Sequence, residues 1–229
     1  MAEGRGGPQK IPRPEQWDSG SPAPWIDRNQ KVISLETIER AISSYSPPTP
    51  TGEIVSRRRS AVLVPIYAHP DGELHIILTR RSAMMKHHTH EVSFPGGNQE
   101  PGDADLWATA VREAQEEIGL DPVLPRQIGT LDSYVTVGSN SFITPFVGIL
   151  DVIPKLQANP IEVEEIIRVP LRELLDPTIY REEIWELQDG SRRPVFFFEL
   201  IGNTVWGATA SMLRQFLIIV LTIENQNFS

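Results

Sequence analysis

Three glutamates, Glu113, Glu116 and Glu117, stand at helical spacing in the run Arg112-Glu113-Ala114-Gln115-Glu116-Glu117-Ile118-Gly119-Leu120, downstream of the pair Gly96-Gly97. At about 100° per residue they fall within an arc of roughly 100°, while Trp107, Val111, Ala114 and Ile118 share a narrower arc on the other side. One face is built to pack and the other gathers negative charge. Like charges on neighbouring turns destabilise a helix by a few tenths of a kcal/mol per pair, so the arrangement calls for a cation. Carboxylate oxygens without thiolate or imidazole are hard ligands, which suits Mg²⁺ or Mn²⁺, ions that keep waters and bridge to substrate phosphates. The chemistry implied is that of a phosphate ester or anhydride. A bare Glu-x-x-Glu-Glu is more often a solvated helix face, and it is the surrounding residues that favour a site.

The neighbouring segments predict how the helix is held. Asp103 precedes it where a carboxylate could cap the first turn, and Gly119 is placed to end it. Residues 61–68 and 74–79 are apolar, β-rich runs joined by His69-Pro70-Asp71-Gly72, whose Asp-Gly pair signals a hairpin. Further strands are expected near residues 126–137, 141–150, 184–187 and 195–200, with helices over 171–175 and from Ala208 onward. Upstream, residues 32–45 read as a short helix that Ser46-Pro47-Pro48-Thr49-Pro50 ends as a stiff linker. This alternation predicts an α/β protein with a mixed sheet between helical layers.

Composition bounds the rest. With 229 residues, 40% of them hydrophobic, the chain can bury a sizeable core in one main domain. The expected division is a disordered Gly- and Pro-rich tail over residues 1–30, a short helix and Pro-rich linker over 31–56, and the catalytic domain over 57–224. A formal net charge of -9 argues against nucleic-acid and anionic-membrane partners. There is no cysteine, hence no disulfide framework or thiolate chemistry. The apolar run over residues 216–221 is far shorter than the roughly 20 residues of a spanning helix, and no apolar leader precedes residue 24. A cytoplasmic setting is the default expectation, and the sequence leaves the oligomeric state open.

The run from Arg112 to Leu120, with Gly97 as its loop glycine, resembles the signature of the Nudix hydrolases. Ala104 stands where the general pattern has a further glutamate, and the interval from Gly97 to Arg112 is longer by one residue. That longer interval, together with Leu78-Thr79-Arg80-Arg81-Ser82 and the run from Glu91 to Gly97, is similar to the coenzyme A diphosphatase branch. Lys86 and His90 depart from that branch, which carries Arg and Gly there. The resemblance implies an α/β/α sandwich and a Mg²⁺- or Mn²⁺-dependent enzyme without a covalent intermediate. It implies Glu113, Glu116 and Glu117 as metal ligands, Glu116 and Glu117 also being catalytic, with Arg112 positioning the carboxylates and a later carboxylate, first choice Glu162, as base. Gly96 and Gly97 would bring backbone to the phosphates, unless they only form a tight turn. Arg80, Arg81 and Lys86 are candidates for the further phosphate of a coenzyme A-like nucleotide, and His87, His88 and His90 read as a solvated loop. The implied products are 3′,5′-ADP and 4′-phosphopantetheine or its acyl form. Other nucleoside diphosphate derivatives such as ADP-ribose or NADH, and a nucleotide-sensing module without turnover, remain alternative readings.

Overall fold

Val, Ile and Leu on both faces of one extended run require cover from two sides, and the strand Arg58–Ala68 receives it. Residues 4–27, 33–49, 57–84, 89–136 and 141–226 are described in a computed structural model. In chain order the first elements are β1 (Trp17–Ser19), α1 (Leu35–Ser44), β2 (Arg58–Ala68), β3 (Leu74–Arg81), β4 (Val92–Ser93), β5 (Gly96–Asn98) and α2 (Leu106–Ile118). There follow β6 (Pro125–Thr130), β7 (Tyr134–Val135), β8 (Ser141–Leu150), β9 (Val163–Pro170) and α3 (Leu171–Leu174), then β10 (Tyr180–Glu186), β11 (Arg192–Leu200), β12 (Asn203–Trp206) and α4 (Gly207–Gln226).

The main sheet runs β4-β3-β2-β8-β6, with β5 also on β2, β7 on β8 and β9 on β3. β2 and β8 are parallel from Arg58↔Ser141 to Tyr67↔Leu150, and the other pairings of this sheet are antiparallel. It is a mixed sheet, as the alternation of elements predicts. One face packs Ala61, Leu63, Tyr67 and Ile77 against Ala110, Ala114 and Ile118 of α2. The other packs Val64, Ile66, Ile76 and Leu78 in one core with Ile38 and Ile42 of α1 and Leu213, Phe216 and Leu217 of α4. α1 and α4 form the second helical layer of an α/β/α arrangement, and a second sheet, β1-β10-β11-β12, adds to that side with its Phe198 in the same core.

The β2–β3 hairpin forms where Asp71-Gly72 places it, with Gly72 at φ 87. In α1, the Ser34 hydroxyl caps the first turn by accepting from the Thr37 N–H at 3.1 Å. Among the described residues no helix is long and apolar enough to cross a membrane.

One expectation is corrected. The tail over residues 1–30 is not a disordered appendage where the structure describes it, since residues 4–27 lie along the small sheet. There β1 pairs with β10, the Arg13 guanidinium meets Glu183 through bonds of 3.0 and 2.5 Å, and Trp25, 2% exposed, stacks on Phe198 at 6.1 Å. Its Gly and Pro content masks a few widely spaced anchors. The acidic segment after Pro160 becomes, from Val163, β9, which pairs with β3 from Val163↔Arg81 to Pro170↔His75.

Candidate active site

The first turn of α2 is capped by Asp105, whose carboxylate accepts from the Ala108 N–H at 2.8 Å. The expectation that Asp103 caps it is therefore corrected. Asp103 lies two residues further out and turns inward, accepting from the Glu100 N–H at 2.9 Å, the Thr109 hydroxyl at 2.9 Å, and Nε and Nη2 of Arg112 at 2.9 and 3.2 Å. This two-bond clamp by Arg112 is the first cause that holds the Asp103 carboxyl down at about 2. The same guanidinium reaches Glu113 at 3.0 Å, Glu116 at 3.0 Å and the Asn98 carbonyl at 3.0 Å. Arg112 is thus placed to position the glutamates, with Asp103 anchoring it.

The three glutamates differ in depth. Their side chains are 15%, 53% and 4% exposed for Glu113, Glu116 and Glu117. Glu117 lies on the border of the packed arc, about 60° around the helix from Ala114, and it is tucked under the sheet rather than on an open face. There it accepts from the Gly96 N–H at 3.2 Å and has Nη1 of Arg81 3.7 Å away. Burial outweighs both partners and pushes its carboxyl up to about 8, with the charges of Glu113 and Glu162 adding to the effect. Burial also raises Glu113 against the opposing pull of Arg112, and Glu116 and Glu162 raise it further.

Gly96 and Gly97 sit on β5 opposite Val62 and Ala61 of β2. A Cβ on Gly96 would lie 2.3 Å from the Ala61 carbonyl oxygen, and one on Gly97 would lie 2.5 Å from the Glu113 carboxylate. The observed use of these glycines is close approach of strand to strand and of strand to carboxylate, rather than a tight turn.

The last carbonyls of an α-helix lack partners of their own. At the end of α2, where Gly119 adopts φ 64 as its position predicts, the Gln157 and Asn159 N–H groups each donate at 2.9 Å, to Ile118 and Glu117. The Asn159 carbonyl then accepts from the Glu162 N–H at 3.0 Å. The loop that closes the helix therefore also holds Glu162, close enough for its charge to act on Glu113 and Glu117.

Neighbours on β3, Arg80 and Arg81 face opposite ways. Arg81 turns to Glu117, whereas Arg80 is engaged by Asn203 at 2.9 Å, Glu165 at 2.8 Å and Glu164 at 3.3 Å. The two arginines adjoin in the chain as candidates for one phosphate, and strand alternation separates them. Lys86, with His87 and His88, lies outside the described residues.

Among the described residues no three acidic or imidazole groups are already drawn together as a cluster for a metal ion, and Arg112 lies between Glu113 and Glu116. The donor set still fits a hard divalent ion. It offers only oxygen, and Glu113 and Glu117, raised first by burial and further by neighbouring carboxylates, are groups whose ionised form a dication would favour.

Residues 57–187 match the NUDIX domain. The chain belongs to the Nudix hydrolase family. This Nudix hydrolase is 35% identical over 184 residues to the uncharacterized Nudix hydrolase NudL of Photorhabdus laumondii, covering 80% of this chain and 96% of that one. It is 41% identical over 129 residues to the mouse peroxisomal coenzyme A diphosphatase NUDT7, covering 56% of this chain and 54% of that one. It is 35% identical over 189 residues to the mitochondrial Nudix hydrolase 15 of Arabidopsis thaliana, covering 80% and 65%. Nudix hydrolases act on diphosphate linkages with the help of divalent metal ions, and this chain is such an enzyme.

Proposed function

We propose that this Nudix hydrolase cleaves the diphosphate of coenzyme A or its thioesters, giving 3′,5′-ADP and 4′-phosphopantetheine or its acyl form. The observation that carries this reading is the 41% identity to the mouse coenzyme A diphosphatase. It is supported by the position of the branch-like segments, since Arg81 and Gly96 on β3 and β5 both touch Glu117 of α2. The residues that carry the chemistry are assigned to 57–224, a stretch whose core also takes in Trp25, Ile38 and Ile42.

Glu113, Glu116 and Glu117 would hold Mg²⁺ or Mn²⁺, which when bound neutralises the diphosphate and makes a water more acidic. Arg112, clamped by Asp103, keeps Glu113 and Glu116 aimed. Arg81 balances charge at Glu117 and can turn to a phosphate oxygen. Glu162 takes the proton as water oxygen bonds to phosphorus, and the bridging oxygen departs with the other phosphate and the electron pair of the broken bond. Full-length protein incubated with coenzyme A and Mg²⁺ should yield the two named products by mass. Cleavage of ADP-ribose or NADH with coenzyme A left intact would refute the substrate.

A further inference from the structure

A second cluster of polar side chains lies behind the β3–β4 turn. Pro8, Lys10, Thr89, His90 and Glu91 line a cavity of about 460 Å³ between the amino-terminal segment and that turn. His90 is the one non-glycine residue with a positive φ among the described residues, at 62°. An L side chain in that conformation costs about 1 kcal/mol. The imidazole is nevertheless held, with Nδ1 2.8 Å from the Glu164 carboxylate. With Nδ1–H donated to the carboxylate, the ring in its imidazolium form has Nε2–H left to donate to a ligand.

Lys10 is carried on a fixed backbone. The Gly6 N–H donates to the Leu200 carbonyl at 2.9 Å, the Gln9 amide donates to the Thr204 carbonyl, and Arg13 is bound to Glu183. The cavity is also tied to the catalytic strand, since the His90 N–H donates to the Arg81 carbonyl at 3.1 Å and the Arg81 N–H donates to the Glu91 carbonyl at 2.9 Å.

We propose that this cavity is a subsite for a phosphorylated ribose, with the Lys10 ammonium, the His90 imidazolium and the Thr89 hydroxyl taking the phosphate. Glu91 lies in the same wall, so the lining carries both signs of charge, which suits a phosphate beside a ribose hydroxyl. Arg80 on β3 is already bound by Glu164, Glu165 and Asn203.

The proposal rests on the coenzyme A reading, where the 3′-phosphate of the adenosine is the group bound. Wild-type full-length protein should show a kcat/KM about tenfold or more higher for coenzyme A than for its 3′-dephospho form. In Lys10→Met and in His90→Gly, the second of which relieves the backbone, that ratio should collapse toward one. A ratio near one in wild type, or one that both variants leave intact, overturns the subsite. If neither compound is cleaved, the coenzyme A reading fails by itself, and calorimetry with 3′,5′-ADP against 5′-AMP reads the subsite directly. Tighter binding of 3′,5′-ADP that both variants abolish upholds it, and equal affinity for the two nucleotides overturns it.

Discussion

Replacing Asp103 by Asn keeps size and shape while removing the charge that Arg112 clamps. The folded carboxyl stands at about 2 against an ordinary 3.8. At about 1.4 kcal/mol per pH unit, that difference corresponds to roughly 2.5 kcal/mol in favour of the ionised form. The Asp103 side chain is 6% exposed but Arg112 is 21% exposed, so screening by solvent reduces the expected loss at pH 7 to about 1–2 kcal/mol. A lowered folded pKa makes the contribution complete above 3.8 and lost as pH falls toward about 2. The stability gap between wild type and Asp103→Asn should therefore narrow as urea titrations move from pH 7 to pH 3. Because Arg112 also orients Glu113 and Glu116, kcat should drop by about 10- to 100-fold, as when a partner behind a ligand is removed. Equal urea midpoints at pH 7 together with wild-type turnover would refute the anchoring role. A gap that stays constant with pH would refute its electrostatic origin.

Glu116→Gln should abolish metal-dependent turnover while leaving the thermal midpoint nearly unchanged, because the side chain is 53% exposed; unchanged turnover rejects its assignment. In chelator, stability should fall as pH rises from 4.5 to about 8, since Glu117 is raised on folding and favours the fold only while protonated. The full swing is at most about 5 kcal/mol, and Glu117→Gln should flatten it in calorimetric scans; a curve that rises over this window contradicts the burial argument. Gly97→Ala must displace the Glu113 carboxylate, as its Cβ would lie 2.5 Å away, and a shift of that kind costs about 100-fold in kcat; wild-type kinetics would show that Glu113 is free to move. Trp25→Ala should destabilise by about 3–5 kcal/mol in urea titrations, and a loss under 1 kcal/mol would mean that the amino-terminal segment is not docked in solution.

Features fixed by neighbours in the chain were legible. The spacing of Glu113, Glu116 and Glu117, the stop at Gly119 and the Asp71-Gly72 hairpin all depend on residues a few positions apart. Features fixed by distant partners were not. Asp103 looks like a cap until the fork of Arg112 is seen to reach it, nine residues on. The depth of Glu117 depends on β5 crossing above it, and β9 hides in an acidic run whose apolar residues Ile166 and Ile167 break strict alternation. The amino-terminal segment has too few apolar residues to signal order, yet Trp25 alone fills a place beside Tyr180 and Phe198.

That placement bears on how the enzyme can be divided. The recognisable family portion starts at residue 57, but Trp25, Ile38 and Ile42 belong to the same apolar interior as Phe198 and Phe216. A boundary drawn at the first residue of the homologous region would slice through that interior. The excised fragment would present a fresh oily surface to water, and an insoluble product would reflect the cut rather than any fault in the catalytic residues.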